Sequence, residues 1–367
     1  MSRWDLYVTD RFGVRQALVD PYESAEFVAR VNDVTTWTVT LPTDTAAGKV
    51  FTTDTFARLE IVLDAAIWRS GPVTKVQRSV DIGGDTLTVS GVDDTVWLAR
   101  RLAHPQPGTA APPYATTAYD VRTGSVAQVV AQLVDVNAGP GAVAARRVPG
   151  LTVPVPAPGG PVITVQARWQ NLLTLAQDTV RPYALMFDVV DLALRVYPAQ
   201  DRGVVFSAGL ETLAGWAMTS EAATANYVVV AGQGEGTARM IREQADADSI
   251  ASWGRVEGFV DQRQTADVAQ LDKAATEALA SGVKPVTVVF TPIDTPAQSF
   301  GHDWALGDTV TVVAGGLTVI DQVREVHVTL DDAGVTVTPS VGQAAGDLAL
   351  FRALAGLDRR VRQLERI

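Results

Sequence analysis

The sequence predicts a mainly β chain with a mixed α+β insert and a C-terminal helix. Three observations carry this prediction. Short period-two apolar runs, broken by Gly, Pro, Asn and Asp, fill the first hundred residues and return after residue 216. Two proline-rich stretches interrupt the pattern, four prolines in 104–113 and five in 149–161, and helical spacing appears around them. Residues 350–367 then place apolar side chains at alternating steps of four and three.

In the front part, residues 6–8 and 17–19 flank a turn at 10–13. Trp37 to Leu41 alternates in period two and stops at Pro42. Residues 59–63, 67–68 and 73–80 follow, and Gly83-Gly84-Asp85 turns the chain into 86–89. Short strands with polar turns fit an antiparallel barrel or a sandwich. A brief helix at 94–101 closes the unit.

The insert reads differently. Over 125–137, Val126, Val129, Val130 and Leu133 share one helix face, with Thr123 or Ser125 to cap the start and Gly139 to end it. A second helix is expected over 169–180 on the stripe Trp169, Leu172, Leu173 and Ala176, stopped by Arg181-Pro182. A hairpin over 184–189 and 192–197 completes this region. Strands are then expected at 226–231, 286–290, 309–313, 317–323, 326–330 and 335–337, with a helix at 264–280 ending at Ser281-Gly282. Hairpin turns are expected at Gly315-Gly316 and 331–334.

The terminal helix carries Leu350, Leu354, Leu357, Val361 and Leu364 as an a/d seam, with Arg359, Arg360, Arg362 and Glu365 on the wet faces. A helix this short is marginal alone in water. It either folds back on its own domain or joins identical copies, and the heptad spacing favours an oligomerisation handle.

Composition excludes several chemistries. The chain has 367 residues and 47% hydrophobic content, enough for two or three globular domains. It has no cysteine, so disulfides, thiolate metal sites and cysteine nucleophiles are ruled out. The net charge of −11 argues against a DNA-gripping surface, and fits a path that DNA crosses without sticking. The start lacks the apolar core of a signal peptide, and no stretch approaches the roughly 20 apolar residues of a membrane helix.

Catalytic motifs are wanting too. His104, His302 and His327 have no second histidine at ligand spacing, and no HExxH occurs. No G-x-S-x-G elbow is present. Gly232-Gln233-Gly234-Glu235-Gly236 misses the dinucleotide fingerprint by one position and sets Glu235 where phosphate would sit. The carboxylate pairs Asp93-Asp94, Asp246/Asp248 and Asp331-Asp332 read as solvated turn residues. No catalytic, metal-binding or cofactor-binding residue is assigned, and no cofactor is expected. The eight tryptophans are scattered, as core and interface anchors are.

Several motifs in order resemble one family. They begin with Tyr22-Glu23-Ser24-Ala25-Glu26-Phe27 through Val31-Asn32-Asp33, although Val34-Thr35 stands where a Pro-Gly is usual. Next come Arg69-Ser70-Gly71-Pro72-Val73, then Val89-Ser90-Gly91-Val92-Asp93 with Leu98 and Arg101. Asn226 to Val230 follows, running into residues 232–236 and Arg239. The last are Trp253-Gly254-Arg255-Val256-Glu257 with Asp261, and Leu306-Gly307-Asp308-Thr309-Val310. Together they resemble the baseplate hub, or minor tail protein, family of long non-contractile-tailed actinobacteriophages, the ReqiPepy-type group.

That resemblance implies two tail-tube-like antiparallel β-barrel domains per chain, at 1–103 and 216–342. Between them lies the α+β insert at 104–215, and the coiled-coil helix occupies 343–367. It implies a structural homotrimer in the virion tail tip, made soluble in the host cytoplasm. The ring would adapt the hexameric tail tube or distal tail protein above it to tip or fibre proteins below. Genomic DNA would pass through the channel without specific binding, and no membrane segment is implied. The alternatives are a tail-associated cell-wall or glycan hydrolase and a receptor-binding module.

Overall fold

Strands from both ends of the chain meet in one sheet. The computed structural model describes residues 3–82, 84–109, 116–219, 222–282, 287–293, 295 and 298–341. First come β1 (Trp4–Thr9), β2 (Arg15–Leu18), β3 (Ser24–Arg30), β4 (Thr36–Pro42), α1 (Ala46–Thr53), β5 (Arg58–Leu63), β6 (Ala66–Asp81), β7 (Gly84–Val92) and α2 (Val96–Ala99). The insert holds β8 (Asp120–Ser125), α3 (Val126–Asn137), β9 (Val162–Ala167), α4 (Leu172–Val180), β10 (Leu185–Val190) and β11 (Ala193–Pro198). Next are β12 (Asp201–Ser207), β13 (Leu213–Thr219), β14 (Tyr227–Ala231), β15 (Ile241–Ala245), α5 (Ala247–Trp253), β16 (Glu257–Asp261) and α6 (Val268–Gly282). The chain closes with β17 (Thr287–Pro292), β18 (Thr309–Ala314), β19 (Leu317–Asp331) and β20 (Gly334–Val341).

Contacts divide the chain into two compact units, residues 1–216 with 289–367, and Ala217–Val288. In the larger unit β3 pairs with β4 on one side and with β19 on the other, Phe27 facing Trp37 and Val328. The mainly β expectation holds, with 46% strand against 21% helix. The closed barrels do not. The large sheet is an open path ending at β2, and among the described residues no sheet closes on itself. The reason is a long-range pairing: β3 uses its second edge on β19, so the front strands do not close on one another through it. Two long strands, β6 and β19, change partners along their length across register shifts at Val73/Lys75 and Val323/Glu325.

An aromatic spine fills this unit. Trp4 stacks on Phe27 and Phe300 at 5.9 and 6.2 Å. Phe300 meets Trp304 at 4.9 Å, Trp304 meets Phe206 at 5.4 Å, and Phe206 meets Phe290 at 4.7 Å. The spine joins segments that are distant in sequence and takes in Trp4 and Trp304 of the eight tryptophans.

The insert has its two expected helices and its 184–197 hairpin, and adds an unexpected β8–β9 pair. Ser125 caps α3 in a full capping box with Gln128, and α3 buries Val126, Val129, Val130 and Leu133. The second helix starts at Leu172, later than expected, because Asn171 caps it and Trp169 stands before it at φ +62°. Asp191 and Leu192, both at positive φ, turn β10 into β11. Elements β3, α1, β8, β9, β12, β13, β15, α5 and β16 have no counterpart among the sequence expectations. β3 alternates in burial, with Ala25, Phe27 and Ala29 inward, but two of these are small and Val28 lies on the other face, so the sequence pattern is weak. α1 has Gly48 in its interior, where a Cβ would press on the Thr43 carbonyl at 2.6 Å. α5 is a seven-residue helix that buries none of its residues.

The smaller unit is a three-stranded sheet, β15-β14-β16, with α6 against one face. Val228 and Val230 pack on Leu271, Ala275 and Leu279. The predicted seam of Leu350, Leu354, Leu357, Val361 and Leu364 lies outside the described residues.

Candidate functional site

The family motifs fall at structural joints, and the best built of these joins the front strands to the insert. Gly71 lies so close to Val92 and Asp93 that a Cβ would strike their backbone, and a Cβ on Gly91 would strike the Trp37 ring. Glycine at both positions lets β6, β7 and β4 close on the turn after β7. Asp93 and Asp94 sit in that turn, 1% and 0% exposed, so the expectation of solvated turn carboxylates is corrected there.

Asp94 is saturated. Its Oδ2 accepts from Arg58 Nη2 at 2.7 Å and from Ser70 Oγ at 2.6 Å, and its Oδ1 accepts from Trp97 Nε1 at 3.1 Å. Leu192 N, on the insert hairpin, adds a longer bond at 3.4 Å. Ser70 Oγ also accepts from Asp191 N at 2.9 Å. One buried carboxylate thus ties β5, β6 and α2 to the β10–β11 turn.

Asp93 is less well served. Its Oδ1 accepts from Thr95 N, and its Oδ2 stands 3.7 Å from Arg69 Nε. Burial pushes its carboxyl up to about 7, against the opposing pull of Arg69. Arg69 reaches on to Asp188 at 3.5 Å. Burial alone would raise Asp188, but Arg69, Arg195 and Tyr197 outweigh it and hold it below the usual range. Arg195 grips Asp188 through two 2.7 Å bonds, and the Tyr197 hydroxyl donates to it at 2.9 Å.

The other motif residues are equally structural. Leu98 is fully buried in the insert core, and Arg101 Nε donates to Arg146 O. Two residues before Val34-Thr35, the chain turns at Asn32 with φ +57°. Asn32 Oδ1 accepts from Phe187 N at 2.7 Å, and its Nδ2 donates to Leu185 O at 3.2 Å. Asn32 is visible in the sequence as a motif residue, but its bonds to β10 are not, because Phe187 and Leu185 lie more than 150 residues away. Gly307 holds φ +94° against Met186, and Asp308 pairs with Arg202 at 3.0 Å.

In the smaller unit Asn226 is fully buried. It accepts from Val256 N and donates to Gly254 O, clamping β14 beside the turn into β16. Arg239 donates to the Gly232 and Ala231 carbonyls and pairs with Asp261, so residues 232–236 form a hairpin connection. Arg263 and Arg239 hold Asp261 down at about 2.

The remaining singled-out residues carry no assembled chemistry. His104 packs edge-on to Trp169 at 4.7 Å, His302 Nδ1 meets Asp303 at 2.9 Å, and His327 sits on β19 between buried Val326 and Val328. Asp246 caps α5, and Asp331 closes the β19–β20 hairpin opposite Gly334. Among the described residues no cluster of His, Asp and Glu could hold a metal, and no helix is long and apolar enough to cross a membrane.

Comparison with known proteins agrees with this architecture. No curated protein matches the chain by sequence. The structure is similar to the 43 kDa tail protein of prophage MuSo2 from Shewanella oneidensis, with TM-score 0.62 and 13% identity over 92% of this chain and 97% of that one. It is similar to a tail protein from Neisseria meningitidis MC58, with TM-score 0.61 and 14% identity over 93% and 97%. Prophage tail protein gp18 from Listeria monocytogenes EGD-e gives 0.57 and 10% over 97% and 99%. The shared fold therefore spans whole chains. The sequence model described as siphovirus ReqiPepy6 Gp37-like protein matches residues 5–343, the group to which the motifs pointed, and the chain belongs to that family.

Proposed function

We propose that this chain is a structural subunit of the phage tail, built to be repeated around the tail axis. One observation carries the reading. Several of the family's motif residues work as joints that lock strands, insert and turns together, and Asp94, Asp261 and Asp308 among them are paired with arginines. Family membership and the fold shared with prophage tail proteins support the same assignment.

In its finer form the proposal is a trimeric baseplate hub at the tail tip. Three chains would meet a hexameric tube or distal tail protein above and tip or fibre proteins below. The front and back strand sets at 1–103 and 216–342 would serve as two quasi-equivalent blocks per chain. The 104–215 insert would face the periphery, and 343–367 would bundle on the axis through Leu350, Leu354, Leu357, Val361 and Leu364. The net charge of −11 suits a bore through which genomic DNA slides unheld.

Electron microscopy of tails labelled on this chain tests the proposal. Label confined to the distal end, in three copies, is the expected result. Label along the whole tube, or in six copies, would overturn the hub reading.

A further inference from the structure

A cleft in the larger unit, about 620 Å³, opens between the β10–β11 hairpin, the start of β6 and the segment before β18. Its size suits one or two sugar rings. Its wall is shared with the joints described above, through Arg69, Arg195, Tyr197, Arg202 and Asp308.

Arg69 is the key residue. It is 5% exposed, yet it lines the cleft. Its hydrogen bonds run from Nε to Thr35 Oγ1 and from Nη1 to Trp68 O, which leaves Nη2 without one. Arg69 Nη2 is not among the sealed, unsatisfied polar atoms, so it reaches the solvent of the cleft and can donate to an acceptor that enters there.

Two further arginines of the wall, both exposed, also have a donor group not used within the protein. Arg195 uses Nε and Nη2 on Asp188 and leaves Nη1. Arg202 uses Nε on Asp308 and Nη1 on His302 O, and leaves Nη2. The charges favour a monoanion. Three guanidiniums face the carboxylates of Asp188 and Asp308, and the third neighbouring carboxyl, Asp93, is raised by burial to about 7 and so carries only part of a charge at neutral pH.

The remaining wall is flat and apolar. Trp68 and Tyr197 supply aromatic rings, and Pro154, Pro156 and Leu306 supply aliphatic surface. Gln200 adds an exposed amide. Flat rings beside planar, multiply donating side chains match a pyranose, which has an apolar C–H face and a rim of hydroxyls. We propose that this cleft binds a sugar acid of the hexuronate type, its carboxylate on the spare donors of Arg69, Arg195 and Arg202 and its ring against Trp68 and Tyr197. The proposal stands apart from the assembly reading: a tail subunit without the cleft's activity, or a binder outside the tail tip, would each leave the other intact.

Methyl NMR of the full chain, labelled at methionine, provides the test. Met186 lines the cleft, and Met240 does not. D-glucuronate should shift the Met186 methyl saturably and leave Met240 unmoved. D-glucose and acetate should each act at least about tenfold more weakly, because one lacks the charge and the other the ring. A glucuronate-containing oligosaccharide tighter than the monomer would place the natural source in a polymer; equal binding would place it in the free acid. Arg69→Gln should abolish the shift. Since that change disturbs a buried cluster, the paired change Arg202→Gln with Asp308→Asn is the control, and it should weaken glucuronate about tenfold while the other methyl signals hold. Glucose or acetate equal to glucuronate, or a still Met186 at about 50 mM glucuronate, would overturn the proposal.

Discussion

The Asp94 joint and the Asp261 joint use the same parts in opposite surroundings. Each is a carboxylate next to a strand end, held by arginine and by polar groups of the neighbouring chain. Asp94 and Arg58 are almost wholly removed from water, with side chains 0% and 4% exposed. Asp261 and its partners stay wet, at 36% for Asp261 and 69% for Arg263. The buried joint must be complete, because a lone charge there has no solvent to fall back on. The wet joint needs only its geometry, since water replaces a lost partner. Similar motifs can therefore carry very different energetic weight.

The largest expected break comes at Asp94. Asp94→Ala strands Arg58 and should cost about 3–5 kcal/mol in chemical denaturation. Adding Arg58→Met should recover part of that loss. Full recovery would not be expected, since Ser70 and Trp97 also lose their acceptor.

Next is a pH effect at Asp93. Its folded carboxyl sits near 7, above the unfolded value near 4, so the fold favours the proton. The contribution is complete below about pH 4 and is lost as pH rises through about 7, a change of order 4 kcal/mol. Asp188 is shifted the other way, and its contribution is lost on acidification. Denaturation midpoints of the wild type and Asp93→Asn across pH 4–8 should show a smaller decline in the variant. Parallel curves would contradict the burial argument.

Gly91→Ala should come third, at about 1–3 kcal/mol, because the new methyl must displace Trp37. The smallest effect is expected at Asp261→Asn, with no resolvable change in thermal midpoint. A loss matching that at Asp94 would erase the contrast between the joints.

Legibility in the sequence followed the same division. α3 was readable because Ser125 and Gln128 form a capping box ahead of an apolar stripe. The β10–β11 and β19–β20 hairpins were readable from their apolar runs and turn residues. The partners of β3 were not: pairing of Phe27 with Val328 spans some 300 residues, and nothing local encodes it. Open sheets could not be told from closed barrels for the same reason. Asp93 and Asp94 misled because two adjacent acids after Gly-Val look like a turn in water, and only the fold brings Arg58 and Arg69 to them. The motif glycines were visible, but their purpose lay in neighbours far along the chain.

Native mass spectrometry of the full chain, run beside a version ending before Gly346, tests the central claim most directly. A structural subunit repeated about an axis should give a particle of three times 38.9 kDa, falling to single chains once the heptad is removed. A full-length protein that stays a single chain at every concentration, or a trimer indifferent to the truncation, would contradict it.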